Sequence, residues 1–403
     1  MEKPVHEIAS DPRNPASGVN QARVRDHNER LVLSLIQRHG GLPGSDIARR
    51  SGLSPQTVSV ILRGLERDGF VVKGEPQRGR VGKPSVPMTL APDGVLSIGL
   101  KIGRRSAELA LMDFLGQVRS ARQVTYVLPL PDTVFGFLRE GLTAFSALLS
   151  AVQRRRILGI GIAAPFELWN WHDSLGARQE DMAVWRDLSF AAKIAEFSDL
   201  PVHLENDATA ACRAEHVFGL GQTLGDFGYF FVGSFVGGGI VLNRSVYQGQ
   251  GGNGGAFGSL PLTAPGGGRK QLIDMASIYL LEARLRDLGH DPDRLWHMPQ
   301  DWSGFDAALT EWITDSARAL AQAIVAVEAV IDFTDFVIDG AVPDDVRERL
   351  VNQVRNFVAR EDLRGLTQPQ VHSGTVGVNA RAIGAAAVPI YAQFLLNSHA
   401  AWV

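Results

Sequence analysis

The chain has 403 residues, which at the usual size of about 150 residues per domain argues for two or three domains. With 45% hydrophobic and 21% charged residues it has the balance of a globular protein with sizeable cores, which excludes a disordered or fibrous chain. No uncharged apolar run approaches the roughly 18 residues of a membrane span, the N-terminal stretch has no apolar signal segment, and the single cysteine, Cys212, can form neither an intramolecular disulfide nor a zinc site of several thiolates. These features describe a protein of a reducing compartment, the cytoplasm.

The net charge of −3 is unevenly spread. Residues 20–84 hold 12 Lys/Arg against 6 Asp/Glu, whereas residues 85–403 hold 26 against 34, so a module of +6 precedes a body of −8. Basic modules meet nucleic acid, although a solvated face accounts for such an excess equally well.

Residues 1–20 are polar and proline-bearing and read as a flexible arm. Leu31, Val32, Leu35 and Ile36 recur at helical spacing and define a first helix over 28–39, stopped by Gly40-Gly41. Ser45 is placed to cap a short second helix running to Arg50, which Ser51-Gly52 ends. Ser54-Pro55 starts a third helix running to about Arg67, since proline at the first helical position loses no needed N–H. Its apolar stripe Val58, Ile61, Leu62 and Leu65 must face a core, leaving Gln56, Thr57, Ser59 and Arg63 on the opposite side. Two short β runs, 70–73 and 86–90, flank a glycine-rich loop with Arg78, Arg80 and Lys83. Together these elements make a winged helix-turn-helix over residues 21–91; the bland alternative is a three-helix module with no role on DNA. Short polar side chains at the start of a third helix reach base edges in a major groove, and the basic loop suits the phosphate backbone or the minor groove of double-stranded operator DNA.

Beyond Pro92 an α/β pattern runs to the end. Strands are expected at 96–102, 108–112, 158–163, 202–205, 228–232, 239–242 and 336–338, with helices over 134–153 and 305–331. Strand openings after Ile102 and after Val232 indicate an internal duplication. Gly233-Ser234-Phe235-Val236-Gly237-Gly238-Gly239 is a turn of the kind whose amides cradle phosphate, or simply a tight turn. Glu205-Asn206-Asp207 stands between a strand and a helix, so its carboxylate is either a general base for a hydroxyl or an N-cap. Gly249–Gly255 adds a loop that admits close backbone approach. Trp169, Trp171 and Trp185 either stack on a sugar or anchor a core, and His203 reads as a partly buried histidine rather than a catalyst.

The order of these motifs resembles the ROK family (repressor, open reading frame, kinase), most specifically over 204–215 and 233–258. The resemblance implies a two-lobed actin-like, ribonuclease-H-like α/β fold over residues 92–403, and the winged module implies a regulator rather than a kinase. Several positions depart from the family pattern. Lys101-Ile102-Gly103-Arg104-Arg105 replaces a loop whose aspartate serves the magnesium of ATP, and Phe235 replaces a glycine of the second phosphate loop. Asp207 matches the catalytic base. Ala256 and Ser259 stand where the family has a sugar-binding glutamate and a zinc-binding histidine. Ala264, Gly266, Gln271 and Ile273 fall on the three cysteines and the glutamate of the zinc cluster, with Asp274 one residue beyond the lost glutamate.

The resulting expectation is a bacterial DNA-binding regulator, most simply a repressor of carbohydrate genes. It would bind DNA through Ser54, Gln56, Thr57, Ser59, Arg63, Arg78, Arg80 and Lys83, and a sugar- or polyol-like effector through Asn206, Asp207, Gly237, Gly238, Asn253, Gly254 and Trp185. No catalysis, cofactor or metal is expected, and the assembly is a homodimer or homotetramer, associated with the nucleoid when on DNA. The alternatives are a sugar kinase with a DNA-binding module and a ligand-independent repressor.

Overall fold

In a computed structural model of the chain the described residues are 21–76, 85–165, 168–171 and 178–396, with only the backbone described for 21–25. The expected arm over 1–20 and the loop residues Arg78, Arg80 and Lys83 lie outside them.

The N-terminal module contains α1 (Gln21–His39), α2 (Gly44–Ser51), α3 (Pro55–Arg67) and the antiparallel pair β1 (Val71–Lys73) and β2 (Met88–Leu90). In α3 the Ser54 hydroxyl accepts the Thr57 N–H (3.1 Å) and Pro55 opens the first turn, while Val58, Ile61, Leu62 and Leu65 are buried as the stripe requires. Ser45 does not cap α2. That helix starts at Gly44 behind Pro43 with no side-chain cap, because proline fixes the entry dihedral and leaves Ser45 inside the first turn. At its far end Gly52, with φ of 70°, adopts the left-handed conformation and donates to the Ala48 carbonyl.

The body holds two five-stranded sheets of the same design. The first has the order β5 (Val118–Thr125), β4 (Ser106–Asp113), β3 (Leu96–Ile102), β6 (Ile157–Ala164), β7 (Val202–Asn206). The second has the order β10 (Ser245–Val246), β9 (Val236–Leu242), β8 (Phe227–Val232), β13 (Asp335–Gly340), β14 (Gln370–Ser373), and β11 (Pro261–Thr263) with β12 (Arg269–Gln271) forms a separate hairpin. In each sheet three antiparallel strands are followed by two parallel ones, the repeat that the expected duplication requires. All seven residues of β3 are buried, the polar Ser97 and Lys101 included, so both faces of the strand are covered.

The C-terminal helix, Ala380–Phe394, ties the parts together. It returns to the first sheet and packs on β3 and β6 and on the helix Asp207–Phe218. The approach is close enough that a Cβ on Gly99 would overlap the Ala382 carbonyl, one on Gly161 the Ala385 carbonyl, and one on Gly384 the Ala210 carbonyl. The far end of this helix enters the core of the N-terminal module, where Ile390 and Leu395 join Leu31, Val32, Leu35 and Ile36. Phe394 lies 4.8 Å from Phe70 and 5.8 Å from Phe114, ring to ring. Arg30 donates to the carbonyls of Tyr391 (3.0 Å) and Leu395 (3.2 Å), and the Leu396 N–H to Ser34 Oγ (2.9 Å). The module is therefore docked through a shared apolar core with satisfied polar edges.

His216, on the helix Asp207–Phe218, is half-buried in this frame. Burial, followed by the charges of Arg213 and Arg38, pushes its imidazole pKa down to about 4. The unfolded chain binds that proton near pH 6.5 and the folded one near 4, so the contribution of His216 is present above 6.5 and is lost as pH falls toward 4. Over that window wild type is expected to lose about 3 kcal/mol more than His216→Gln, as read by urea denaturation at successive pH values.

Candidate functional site

The first candidate surface is α3. Gln56, Ser59 and Arg63 are exposed on the face opposite the buried stripe, together with Val60, which is 54% exposed. Arg63 Nε donates to the Ser59 carbonyl (3.2 Å), which lays the guanidinium along the helix. Ser54 and Thr57 are engaged with each other, their hydroxyls 2.8 Å apart at the cap, so they set the start of the helix and its aim. Other nearby cations are paired within the module, Arg67 with Asp68 (2.8 Å), Lys73 with Glu66 (2.7 Å) and Arg49 with Asp46 (2.9 Å).

The second candidate region lies between the two sheets. Lys101, 3% exposed, is held by Glu108 Oε1 (2.8 Å) and Ser106 Oγ (3.1 Å). Burial, reinforced by Arg381, lowers its ammonium pKa to about 8 against the opposing pull of Glu108. Burial would raise the Glu108 carboxyl, but Lys101 and Arg381 hold it below its usual range. The lysine therefore replaces a metal-binding carboxylate with an internal ion pair. In the same turn Arg104 (3.0 Å) and Arg105 (3.2 Å) both reach Glu282 of the second lobe, whose other oxygen accepts the Trp296 indole N–H (2.9 Å). Glu282 is 2% exposed, so the loop that would hold phosphate grips a carboxylate of the chain itself.

Phe235 extends this closure. Its ring stands edge-on to Trp171 (4.8 Å) and Tyr279 (5.5 Å), with the Arg104 guanidinium 5.7 Å away. The Tyr279 hydroxyl donates to Asp274 (3.0 Å), which accounts for that carboxylate without a metal. Burial of Tyr279, aided by Asp274, raises its phenol pKa to about 12. Ala264, Gly266 and Gln271 belong to the β11–β12 hairpin and its turn, with Ile273 just beyond. Among the described residues no group of three His, Cys, Asp or Glu side chains converges as a metal site.

The expected effector residues divide. Asn206 is the N-cap of the helix that follows, its Oδ1 accepting from Ala208 N (3.0 Å) and Thr209 N (3.1 Å), so only its amide nitrogen remains for a ligand. Asp207 pairs with Arg381 (3.2 Å), whose guanidinium also sits 4.7 Å above the Phe231 ring. Asn253 and Gly254 lie in a loop folded onto Tyr247 and Gln248, with Gly254 N donating to the Gln248 carbonyl (2.8 Å). Gly237 and Gly238 have a packing reason, since a Cβ on Gly237 would press on Ala208 (2.7 Å) and one on Gly238 would overlap Phe257. Trp185 is a correction. It is 3% exposed in the core of the first lobe, stacked on Phe190 (5.5 Å) with its N–H donated to the Pro129 carbonyl (2.8 Å), and has no face for a ligand. The aromatic that does reach the inter-lobe region is Trp171.

Arg381, Glu108, Glu282 and Trp296 were not foreseen. Glu282 lies 178 residues from its partner Arg104 and Arg381 lies 174 from Asp207, so no local spacing links them to the motifs they complete. The buried Glu205–Arg213 pair, which also receives Gln248 (2.7 Å), was equally invisible.

Two family models match the chain, the ROK family over residues 97–390 and a winged helix-turn-helix DNA-binding model over residues 25–72. The chain belongs to the ROK family, with a DNA-binding module in front of the family domain. It is 28% identical to the uncharacterized protein y4fQ of Sinorhizobium fredii over 92% of each chain. It is 22% identical to the xylose repressor of Bacillus subtilis over 60% of this chain and 62% of that protein, so it spans somewhat less than two thirds of the repressor's length. Among solved structures, a ROK family transcriptional regulator homologous to the MLC protein of E. coli superposes with a TM-score of 0.64 at 21% identity, covering 91% of this chain and 96% of that one. That likeness establishes the two-lobed fold behind a winged module.

Proposed function

We propose that this chain is a transcriptional repressor that reads double-stranded operator DNA with α3 and answers to a small carbohydrate-like effector in its body, without phosphoryl transfer. The observation that carries this reading is the shared core between the module (residues 21–91) and the C-terminal helix of the body (residues 92–403), which lets a change in the body reach α3. Ion pairs and aromatic rings occupy the places where a kinase needs metal and nucleotide, which favours a sensor over an enzyme. Two-fold assembly fits the reading, because one α3 offers few base contacts and two on a palindrome double them. On DNA the protein sits with the nucleoid.

Within this reading Gln56, Ser59 and Arg63 meet base edges, Thr57 and Ser54 hold the helix start, and Arg78, Arg80 and Lys83 meet the backbone. Arg63→Ala or Gln56→Ala is expected to lower discrimination between operator and random duplex by about 1–3 kcal/mol, measured by titrated mobility shifts at fixed salt. Lys83→Ala is expected to weaken both duplexes alike. Equal operator preference in wild type and in both α3 variants overturns the assignment.

A further inference from the structure

Arg156 crosses from the body to the end of α3. It stands just before β6, where its carbonyl accepts the Leu96 N–H (2.9 Å) and its own N–H is donated to the Gln153 carbonyl (2.9 Å), so its backbone belongs to the first sheet. Its side chain leaves that sheet. Nη2 donates to the carbonyl of Asp68 (2.8 Å), the residue that closes α3, and the guanidinium lies 5.3 Å from the centre of the Phe70 ring. Gly69 leaves the room for this, since a Cβ there would stand 3.1 Å from Nη2. The Asp68 carboxylate is bound by Arg67 (2.8 Å), and Arg156 takes the backbone end of the helix.

A cation at the C-terminal end of a helix satisfies a carbonyl that has no partner within the helix and complements the negative end of its dipole. Here the cation comes from another domain. Two residues earlier Arg154 does the same for the helix Pro131–Leu148, donating to the carbonyls of Ser146 (3.0 Å) and Leu149 (2.7 Å). The segment 154–156 therefore brackets the end of a lobe helix and the end of α3. The module is thus held at two separated points, through Arg30 of α1 on the C-terminal helix and through Arg156 on α3 itself. One such point allows rotation about it, whereas two on different helices fix an angle.

We propose that Arg156 is a positioning residue for DNA recognition. By holding the end of α3 against the first sheet it sets the angle of α3 to the body, and with it the separation at which two copies of the chain place their α3 helices on one duplex. The inference rests on the DNA-binding and two-fold readings above.

The test compares Arg156→Met, which keeps an apolar stem on Phe70 and loses the donor, with Arg155→Met, which removes the neighbouring exposed charge. Full chains are titrated with an operator that wild type selects from random duplexes, with the same operator carrying two extra base pairs at its centre, and with a single half-site. Wild type and Arg155→Met are expected to prefer the selected spacing at least tenfold. Arg156→Met is expected to prefer it threefold or less, with half-site affinity within twofold of wild type. Full spacing preference in Arg156→Met, an equal loss in both variants, or a half-site affinity that falls in step with the operator overturns the proposal. If wild type selects no duplex the DNA reading fails, and if it binds without a spacing preference the two-fold reading fails. The hold on α3 is then judged on the free protein. Spin labels at Val60→Cys and Leu148→Cys, both exposed while Cys212 is buried, report the distance from α3 to the lobe in labelled chain diluted with unlabelled chain. The distance distribution is expected to widen in Arg156→Met and to stay as in wild type in Arg155→Met. Equal widths in the two variants overturn the proposal.

Discussion

Gly384→Ala is expected to destabilise the protein by about 3 kcal/mol or to prevent its folding, although alanine is the better helix former by about 1 kcal/mol. The added methyl would overlap the Ala210 carbonyl, a backbone atom on the buried helix Asp207–Phe218. That helix has no room to retreat, since its other side meets Gly237 and Gly239 of β9 through Ala208 and Cys212. Close-packed interiors do not yield by the required distance, so the strain spreads along the C-terminal helix toward the N-terminal module. Gly136→Ala, at a position with open space on the helix Pro131–Leu148, is the matched control and is expected to be neutral or slightly stabilising. Guanidinium denaturation followed by tryptophan fluorescence separates the two, and equal midpoints would refute the packing argument.

Removing the Glu282 carboxylate has an effect of similar size and a different origin. In Glu282→Ala, Arg104 and Arg105 lose the buried carboxylate they share and Trp296 loses its acceptor. Breaking a buried ion pair from one side typically costs about 3–5 kcal/mol, because the surviving charges stay desolvated without compensation. The side chains of Arg104 and Arg105 are 12% and 22% exposed, so water relieves part of this and the lower end of the range is expected. Glu282→Gln keeps an acceptor for one arginine and is expected to recover a fraction. The contacts cross from one lobe to the other, so Glu282→Ala should also speed limited proteolysis between the lobes. Unchanged cleavage with unchanged stability would mean that the clamp contributes nothing.

What was legible in the sequence follows from how each element meets solvent. α3 was read to its last residue because one face is apolar and the other polar, and Ser54-Pro55 marks its start chemically. β3 was read to its ends because Leu96, Ile98, Leu100 and Ile102 alternate along its whole length, with Ser97, Gly99 and Lys101 between them. β5 was missed for the converse reason. As an exposed outer strand of sequence Val118–Thr125 it carries arginine, glutamine and serine and has no apolar period. The C-terminal helix escaped because it is buried nearly all round by alanine and glycine, which leaves no stripe for periodicity to find. In the candidate site, the lysine of the first loop and Phe235 were singled out as departures from a phosphate site, but their partners were not. Arg381 lies 174 residues from Asp207 and Glu282 lies 178 from Arg104, and only the folded topology joins them. Trp185 shows the limit of composition, since aromatic planes that stack on sugars also fill cores.

The docking of Leu395 and Phe394 against α1 also has a consequence for the order in which the protein is made. Leu31, Leu35 and Ile36 are synthesised well before the apolar surface that covers them, which Ile390 and Leu395 provide. Until residues 380–395 have been made, the N-terminal module has its core open on one side and Arg30 lacks the carbonyls it binds. A chain interrupted before residue 380 would thus carry its defect in the winged helix-turn-helix module, far upstream of the break. Support for the module is in this sense conferred by the helix Ala380–Phe394, so a chain interrupted before that helix carries α1 to α3 without their complete core.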